Sequence, residues 1–164
     1  DWKKYMKADE KKYFPMFVDL TQKKVTVIGA GNIAKRRIET LLSFAGTIEV
    51  IAPDACERIK ELAKEGRLVW KEKAYDREDL YDADLVLSAT NNEKVNNDVY
   101  SACKCLGISV NTASNRMKCD FYFPSILQKE ETVIGLNSAG NPAKTKNVRK
   151  EMQKWIEEAG EKHE

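Results

Sequence analysis

The sequence contains a single histidine, His163, which lies next to the last residue of the chain. Residues at chain ends are commonly mobile and poorly held for catalysis. We therefore expect no histidine acid–base chemistry and no Ser-His-Asp triad. This expectation excludes a large class of hydrolases.

The chain also lacks a surplus of charge of one sign, because 28 basic residues accompany 26 acidic ones and the formal net charge is +2. A nucleic-acid-binding protein would show a strong basic excess or a basic stripe, so we predict no nucleic-acid partner. No apolar run approaches the length of a membrane span, and the first residues are charged, unlike those of a signal peptide. These features predict no membrane partner and a cytoplasmic location.

Metal ligands with the usual spacing are missing as well. The cysteines form no C-x-x-C pair and have no histidine near them; they are Cys56, Cys103, Cys105 and Cys119. We therefore predict reduced thiols and no metal site.

The clearest functional signal that is present lies in residues 24–34. Residues 24–28 predict a strand buried on both faces, and residues 29–34 predict a tight turn that opens a helix. Gly29 permits the turn, Gly31 removes the Cβ that would block a pyrophosphate, and Ala34 is small where helix and strand touch. The helix N-terminus offers N–H groups to an anion. This pattern favours a dinucleotide site over an ordinary tight turn in an α/β domain.

Strands and helices alternate as far as residue 111. Apolar spacing predicts strands at residues 25–28, 48–52, 68–70, 85–89 and 108–110. Asp54 is the predicted N-cap of the second helix, and Leu106 is predicted on the buried face of the third. The alternation predicts a Rossmann-like parallel sheet with helices on both faces and a ligand at the carboxyl ends of the strands. The predicted cofactor-binding residues at these ends are Gly29, Gly31, Asn32, Ile33, Pro53, Asp54, Thr90, Asn91 and Asn111.

The choice of cofactor depends on the residues just after the second strand. Asp54 stands at the strand end, where an acid would hold the ribose hydroxyls. Arg58 and Lys60 lie a turn or more into the next helix, so no basic residue comes immediately after the strand to bind a 2′-phosphate. The sequence therefore favours NAD over NADP. FAD would need more protein to cover its isoalloxazine ring.

The pattern changes outside this region. Residues 13–20 predict an edge strand or a strap over the domain. Residues 120–124 and 132–136 predict strands without an intervening helix, and a charged helix is predicted from Pro142. Its apolar stripe, which includes Trp155, is predicted to pack on the sheet or on a partner subunit.

Four segments together resemble the precorrin-2 dehydrogenase family, the N-terminal part of siroheme synthases. They are Pro15-Met16-Phe17, the glycine turn, Ser88-Ala89-Thr90-Asn91-Asn92 and, most distinctive, the stretch from Asn111 to Ile126 with its Asp120-Phe121-Tyr122-Phe123-Pro124-Ser125 core. A shortened family element lies at residues 138–143. The resemblance covers about residues 13–150.

The resemblance implies NAD-dependent oxidation of precorrin-2 to sirohydrochlorin by a homodimer whose subunits interlock through the segment after the Rossmann domain. It divides the chain into a lead-in (1–12), a Rossmann domain (13–113), a dimerisation and substrate segment (114–141) and a C-terminal helix (142–164). The family's helical C-terminal part is expected to be reduced or missing here.

One position departs from the family pattern. Where the family commonly carries an Asp as its acid–base candidate, this chain has Ser114. A serine without a basic partner cannot serve as a general base near neutral pH, although it can bind a carboxylate or order a water. We therefore predict a dehydrogenase without ferrochelatase activity. Ser114 and Asp120 are the catalytic candidates, and for Asp120 a role as a loop hydrogen-bonder or a cap is the alternative.

Precorrin-2 is a polyanion, so its site should collect cations and backbone donors. The resemblance and the position of the charges select Arg116, Ser138 and Lys144 as substrate-binding candidates. Further basic candidates are Arg36, Arg37, Lys118, Lys146 and Arg149, with a solvated charged face as the alternative. Asn111, Thr112 and Ser114 are expected to line the floor beneath the nicotinamide.

Three other functions stay open. The chain could be a non-enzymatic NAD(H)-sensing dimer, a bifunctional dehydrogenase and ferrochelatase, or an unrelated small-metabolite dehydrogenase. The last lacks a visible catalytic His, Lys–Tyr pair or substrate domain.

Overall fold

The structure is a computed structural model that describes residues 12–161 of the chain. Most of the predicted lead-in and His163 lie outside the described residues. None of the helices in the described part is both long enough and apolar enough to cross a membrane.

A five-stranded parallel sheet forms the centre of the molecule. Its strands are β1 (Lys24–Ile28), β2 (Thr47–Ala52), β3 (Val69–Glu72), β4 (Leu85–Ser88) and β5 (Ser109–Thr112), arranged in the order β3-β2-β1-β4-β5. The connecting helices are α1 (Asn32–Leu41), α2 (Glu57–Lys64) and α3 (Glu93–Leu106), with a short 3₁₀ helix (Arg77–Leu80) before β4. The predicted Rossmann-like fold is confirmed. The order reverses between β1 and β4, so the topological switch point of the sheet lies at the carboxyl ends of these two strands.

Two apolar layers, one on each face of the sheet, hold it in place. On one face, Val25 and Val27 pack with Ile38 of α1 and Leu62 of α2, and all four side chains are fully buried. On the other face, Ile28 and Val86 pack with buried residues of α3 and the 3₁₀ helix, which are Leu80, Val99, Ala102 and Cys103. Burial on both faces explains the nearly continuous β-branched runs in the sequence.

A smaller antiparallel strand pair comes after the sheet. It consists of β6 (Ser125–Lys129) and β7 (Thr132–Leu136), and it packs against α4 (Pro142–Glu161). The ammonium of Lys129 donates to the backbone oxygen of Ile156 at 3.0 Å, and Leu127 and Ile156 are buried. The predicted strand at 132–136 and the predicted helix from Pro142 are confirmed.

The predicted strand at residues 120–124 is wrong, because the strand begins at Ser125. Residues before it run irregularly along β5 instead. The backbone N–H of Asp120 donates to the oxygen of Val110 at 2.8 Å, and the oxygen of Phe121 accepts from the Asn111 side chain at 2.8 Å. Because these two backbone groups are bonded to β5, they are not available to pair with β7.

The segment before β1 has no regular secondary structure between residues 12 and 20, so its edge-strand alternative is wrong and it is a strap. The Tyr13 ring stacks on Tyr122 with ring centroids 3.8 Å apart, and its hydroxyl donates to the backbone oxygen of Cys119 at 3.1 Å. Between this anchor and Leu20, the side chains of Phe14 (87%) and Phe17 (81%) are almost fully exposed.

Two local predictions about the helices are also wrong. Helix α2 begins at Glu57 with Cys56 as its N-cap, so Asp54 lies two residues before the cap. Leu106 is 42% exposed, because it is the last residue of α3 and the chain turns away at Gly107, whose φ is 71°.

Candidate functional site

The turn after β1 is shaped by Gly29. Its φ is +104°, a value that residues with a side chain rarely adopt. A Cβ at this position would lie 2.4 Å from the backbone oxygen of Ala89, just after β4. The glycine therefore permits both the turn and the close approach of the β1 and β4 ends.

The N-terminus of α1 is open to solvent. Its N-cap residue, Gly31, provides no side-chain cap, and the first turn contains no acidic residue. A Cβ on Gly31 would meet no atom within 4 Å, so the space beside this helix end is free. Unpaired N–H groups and the positive dipole end then face a position where an anion can sit.

A cavity of about 440 Å³ adjoins this helix end. It lies at the carboxyl ends of β4 and β5, next to the switch point between β1 and β4. Its walls come from α1, from the loops after β4 and β5, and from α3, and they are Ile33, Ala89, Thr90, Asn91, Glu93, Asn96, Asn97, Ala113, Ser114 and Asn115. The structure therefore brings the predicted residues Ile33, Thr90, Asn91 and Ser114 together around one space.

Asn96 connects the two loops that border the cavity. It is buried, and its side-chain amide bonds to Ser88, Thr90 and Ser114. Sequence reasoning missed this residue. A signal was present, because Asn96 lies three residues before Val99 and seven before Cys103, on the buried face of α3.

Asp54 lies at the end of β2, close to the glycine turn. The backbone N–H of Cys56 donates to the oxygen of Ala30 at 3.1 Å and ties the two segments together. A hydrogen bond from the Ala55 backbone and then Lys60, whose ammonium lies 3.1 Å from the carboxylate, lower the pKa of Asp54. Asp54 is exposed and ionised at neutral pH, and Pro53 beside it is exposed as well.

The two catalytic candidates lie in different surroundings. Ser114 lines the cavity, and its Oγ accepts from the Asn96 amide at 3.2 Å. Asp120 is not among the lining residues. It forms an ion pair with Lys104 and accepts from the backbone N–H of Val110 at 3.0 Å. These bonds agree with the alternative role of Asp120 as a hydrogen-bonding residue of the loop.

The three substrate candidates lie around the turn before α4, outside the cavity lining. The Arg116 guanidinium donates to the oxygen of Ala139 at 3.1 Å, and its chain packs against Gly140. The Ser138 backbone N–H donates to the Thr145 hydroxyl at 3.2 Å. Lys144 is exposed in the first turn of α4.

Other candidates are already engaged within the protein. Arg37 donates to the Asn111 side-chain oxygen at 2.7 Å and lies 5.4 Å from the centre of the Phe123 ring, and burial lowers its pKa. Asn111 is buried and bonded at both ends of its amide, to Arg37 and to Phe121. Thr112 is buried, and its Oγ1 has no hydrogen-bond partner among the described residues. Of the three residues predicted to line the floor beneath the nicotinamide, Asn111 and Thr112 are thus not among the residues that line the cavity, whereas Ser114 is.

The remaining basic candidates are Lys118, Arg149, Arg36 and Lys146. Lys118 bonds to the Asn97 side chain, and Arg149 donates to the oxygen of Ile126 at 3.5 Å. Arg36 and Lys146 are exposed. Among the residues that the structure describes, no cluster of three potential metal ligands is found.

These features fit a dinucleotide. The glycine turn leaves room for a pyrophosphate, the open end of α1 supplies donors for it, and an ionised carboxylate stands at the end of β2. The fold and the site thus define the class: a Rossmann-type dinucleotide-binding protein.

Comparison with known proteins narrows the class. Residues 16–125 match a family model described as "Putative NAD(P)-binding". The chain is 35% identical over 145 residues to the siroheme synthase of Pseudoalteromonas atlantica, covering 88% of this chain and 31% of that protein. It is 37% identical over 143 residues to a probable multifunctional siroheme biosynthesis protein, HemA, of Ruminiclostridium josui, covering 86% of this chain and 28% of that protein. The chain thus spans about a third of the length of these relatives.

A solved structure gives the same result. The fold matches SirC, a precorrin-2 dehydrogenase, with a TM-score of 0.70 and 26% identity, over 87% of this chain and 70% of that one. The chain belongs to the precorrin-2 dehydrogenase family of NAD(P)-binding proteins, as the resemblance indicated.

Proposed function

We propose that this protein oxidises precorrin-2 to sirohydrochlorin with NAD, a reaction of siroheme biosynthesis. The observation that carries the proposal is the cavity beside the open α1 terminus, bordered by Ser114 from the family-like segment. The names of the relatives and of the structural neighbour support the same reaction. A cytoplasmic location, predicted from the sequence, is part of the proposal.

The chain's own residues would place the cofactor across the turn and the cavity. The N–H groups at the start of α1 receive the pyrophosphate beside Gly31, and Asp54 accepts from the ribose hydroxyls. The nicotinamide half lies toward the cavity, bordered by Ile33, Thr90 and Asn91. Bound NAD would supply the hydride acceptor.

We propose NAD rather than NADP because Asp54 is ionised and exposed. Its charge would repel a 2′-phosphate. Lys60 offsets part of that charge, since its ammonium lies 3.1 Å from the carboxylate. The preference for NAD is therefore expected to be moderate.

Among the described residues, the cavity wall contains no ionisable base apart from Glu93, which is exposed. Ser114 cannot remove a proton near neutral pH, but it can hold a substrate carboxylate or order a water. We propose that the proton released on oxidation passes to water in the open cavity. Without a carboxylate at position 114, we propose that ferrochelatase activity is absent.

Substrate anions would be held outside the nicotinamide region. Arg116, Ser138 and Lys144 cluster around the turn before α4, and we propose that they bind the peripheral carboxylates of the tetrapyrrole. We further propose a homodimer, supported by the exposed aromatic side chains of the strap between residues 12 and 20.

The test is an anaerobic incubation of the protein with precorrin-2 and NAD, with the absorbance of sirohydrochlorin and of NADH as the readout. The expected result is formation of both products at equal rates. Ser114→Ala should slow the reaction about tenfold through the loss of one hydrogen bond. Ser101→Ala, a matched change at an exposed position on α3, should not.

No NAD-dependent conversion, with a known precorrin-2 dehydrogenase active in parallel, would contradict the proposal. Tight NAD(H) binding without any tetrapyrrole binding would instead favour the NAD(H)-sensing alternative. Iron insertion by the wild-type protein would contradict the proposal for Ser114, and a gain of that activity in Ser114→Asp would support it.

A further inference from the structure

The side chain of Asn96 joins the loops after β4 and β5 inside the protein. Its Oδ1 lies 2.7 Å from the Ser88 hydroxyl and 2.9 Å from the Thr90 hydroxyl. Its Nδ2 donates to the backbone oxygen of Thr90 at 3.0 Å and to Ser114 Oγ at 3.2 Å. Asn96 is 2% exposed, so its amide group is itself shielded from water.

The backbone of Thr90 determines which way the Asn96 amide points. The N–H of Thr90 lies 3.4 Å from Oδ1, and the backbone oxygen of Thr90 lies 3.0 Å from Nδ2. A flipped amide would place oxygen against oxygen and nitrogen against a backbone N–H. The donor side of the amide therefore faces Ser114.

This orientation defines the hydrogen-bonding polarity of Ser114. An amide NH₂ group can only donate, so Ser114 Oγ accepts from it and its own proton must point elsewhere. Within residues 12–161 the Ser114 hydroxyl donates to no protein acceptor, and the residue is exposed on the cavity wall.

We propose that Asn96 is a positioning residue that makes Ser114 a hydrogen-bond donor to a carboxylate of the ligand in the cavity. The identity of that ligand, a tetrapyrrole, rests on the proposed function. The orientation of Ser114 rests only on the contacts of Asn96. A hydroxyl held in this way binds an anion without carrying a charge of its own.

The orientation is tested without any ligand by NMR of the Asn96 side-chain amide protons. In the wild-type protein both protons should exchange slowly. Ser114→Ala should shift one proton and speed its exchange, while the proton bonded to Thr90 stays unchanged. Ser101→Ala is the matched control and should change neither. Unaltered amide protons in Ser114→Ala would overturn the proposal.

The role in binding is tested by titrating sirohydrochlorin into the NAD-bound protein. Ser114→Ala should weaken binding about tenfold to a hundredfold, because a hydrogen bond to a charged group is lost. Ser114→Thr keeps the hydroxyl and should retain most of the affinity. Equal losses in the two variants would overturn the assignment of a donor.

A double-mutant cycle separates positioning from general support of the fold. Asn96→Asp should weaken binding as Ser114→Ala does, because a carboxylate would accept the serine proton. In the Ser114→Ala background, Asn96→Asp should have a much smaller effect. If Asn96→Asp weakens binding equally in both backgrounds, Asn96 has only a structural role. Wild-type protein that binds NAD but no sirohydrochlorin contradicts this ligand and the proposed function, while the NMR result still decides the orientation.

Discussion

At the scale of single residues, the two glycines of the first turn have different tasks. Gly29 has a positive φ and faces the oxygen of Ala89, so it is needed for the fold itself. Gly31 has an ordinary φ of −87° and faces open space, so it is needed only for what binds there. Gly29 is thus structural, and the proposed function assigns ligand binding to Gly31.

These tasks predict opposite results for the two alanine variants. Gly29→Ala should lower the free energy of unfolding by roughly 3 kcal/mol, through strain and a backbone clash. Gly31→Ala should cost less than about 1 kcal/mol as a change of N-cap, yet weaken NAD binding roughly tenfold or more. Urea unfolding and calorimetric titration measure the two effects. Gly31→Ala binding NAD like the wild type would contradict the assigned pyrophosphate position.

A second residue-scale prediction concerns the Asp54–Lys60 pair. Asp54→Ala should weaken NAD binding about tenfold by removing a charged acceptor, and should improve NADP binding by freeing Lys60 for the 2′-phosphate. Lys60→Met should weaken NADP binding while NAD binding changes little. Dissociation constants for both cofactors test this. An unchanged NAD-to-NADP ratio in Asp54→Ala would show that the pair does not select the cofactor.

At the scale of elements, helix α3 links the stability of the protein to its site. The Asn92 side chain caps α3 by accepting from the N–H groups of Lys94 at 3.0 Å and Val95 at 3.3 Å. The same helix carries Asn96 on its buried face and reaches the loops after β4 and β5. The start of α3 therefore determines the position of the cavity wall.

Removing this cap should have a measurable cost. Asn92→Ala should reduce the free energy of unfolding by about 1 kcal/mol, while Asn92→Asp should retain it because a carboxylate also caps and suits the helix dipole. The urea midpoints of the three proteins are the measurement. Equal destabilisation by both substitutions would show that the cap bond is not responsible.

At the scale of the whole molecule, two of the described segments expose apolar side chains that the proposed dimer could cover. The strap exposes Phe14, Met16, Phe17 and Val18, and α4 exposes Trp155, which is 59% exposed. Apolar side chains exposed in succession along one segment commonly mark an interface. The predicted stripe of α4 is thus only partly buried by the chain's own β6–β7 pair.

The homodimer proposal therefore predicts a mass in light scattering of twice the 18.7 kDa chain mass. Phe14→Ser combined with Phe17→Ser should shift the protein toward the monomer, because apolar contact area is lost. Tyr81→Ser removes an aromatic side chain that is also exposed, but lies on the turn before β4, and should leave the mass unchanged. A monomeric wild-type protein would contradict the proposal.

Local sequence signals account for most of the sheet. Buried parallel strands have β-branched runs, and helices that cover them have apolar faces of regular period, so the alternation as far as β5 could be predicted. The strand predicted at residues 120–124 failed because Phe121, Tyr122 and Phe123 have strand-like composition, while long-range bonds to Val110 and Asn111 decide their path.

The candidate site likewise depends partly on local sequence signals and partly on long-range contacts. The class of ligand could be predicted from the sequence, since the roles proposed for Gly29, Gly31 and Asp54 rest on backbone conformation and charge, which depend on neighbours in the chain. The hydrogen bonds of the cavity wall, by contrast, form only in the folded chain. Asn96 meets Ser114 across 18 positions of the chain, and Arg37 meets Asn111 across 74. Such contacts arise when parallel strands bring distant segments to one edge of the sheet, and no local pattern encodes which polar atoms then pair.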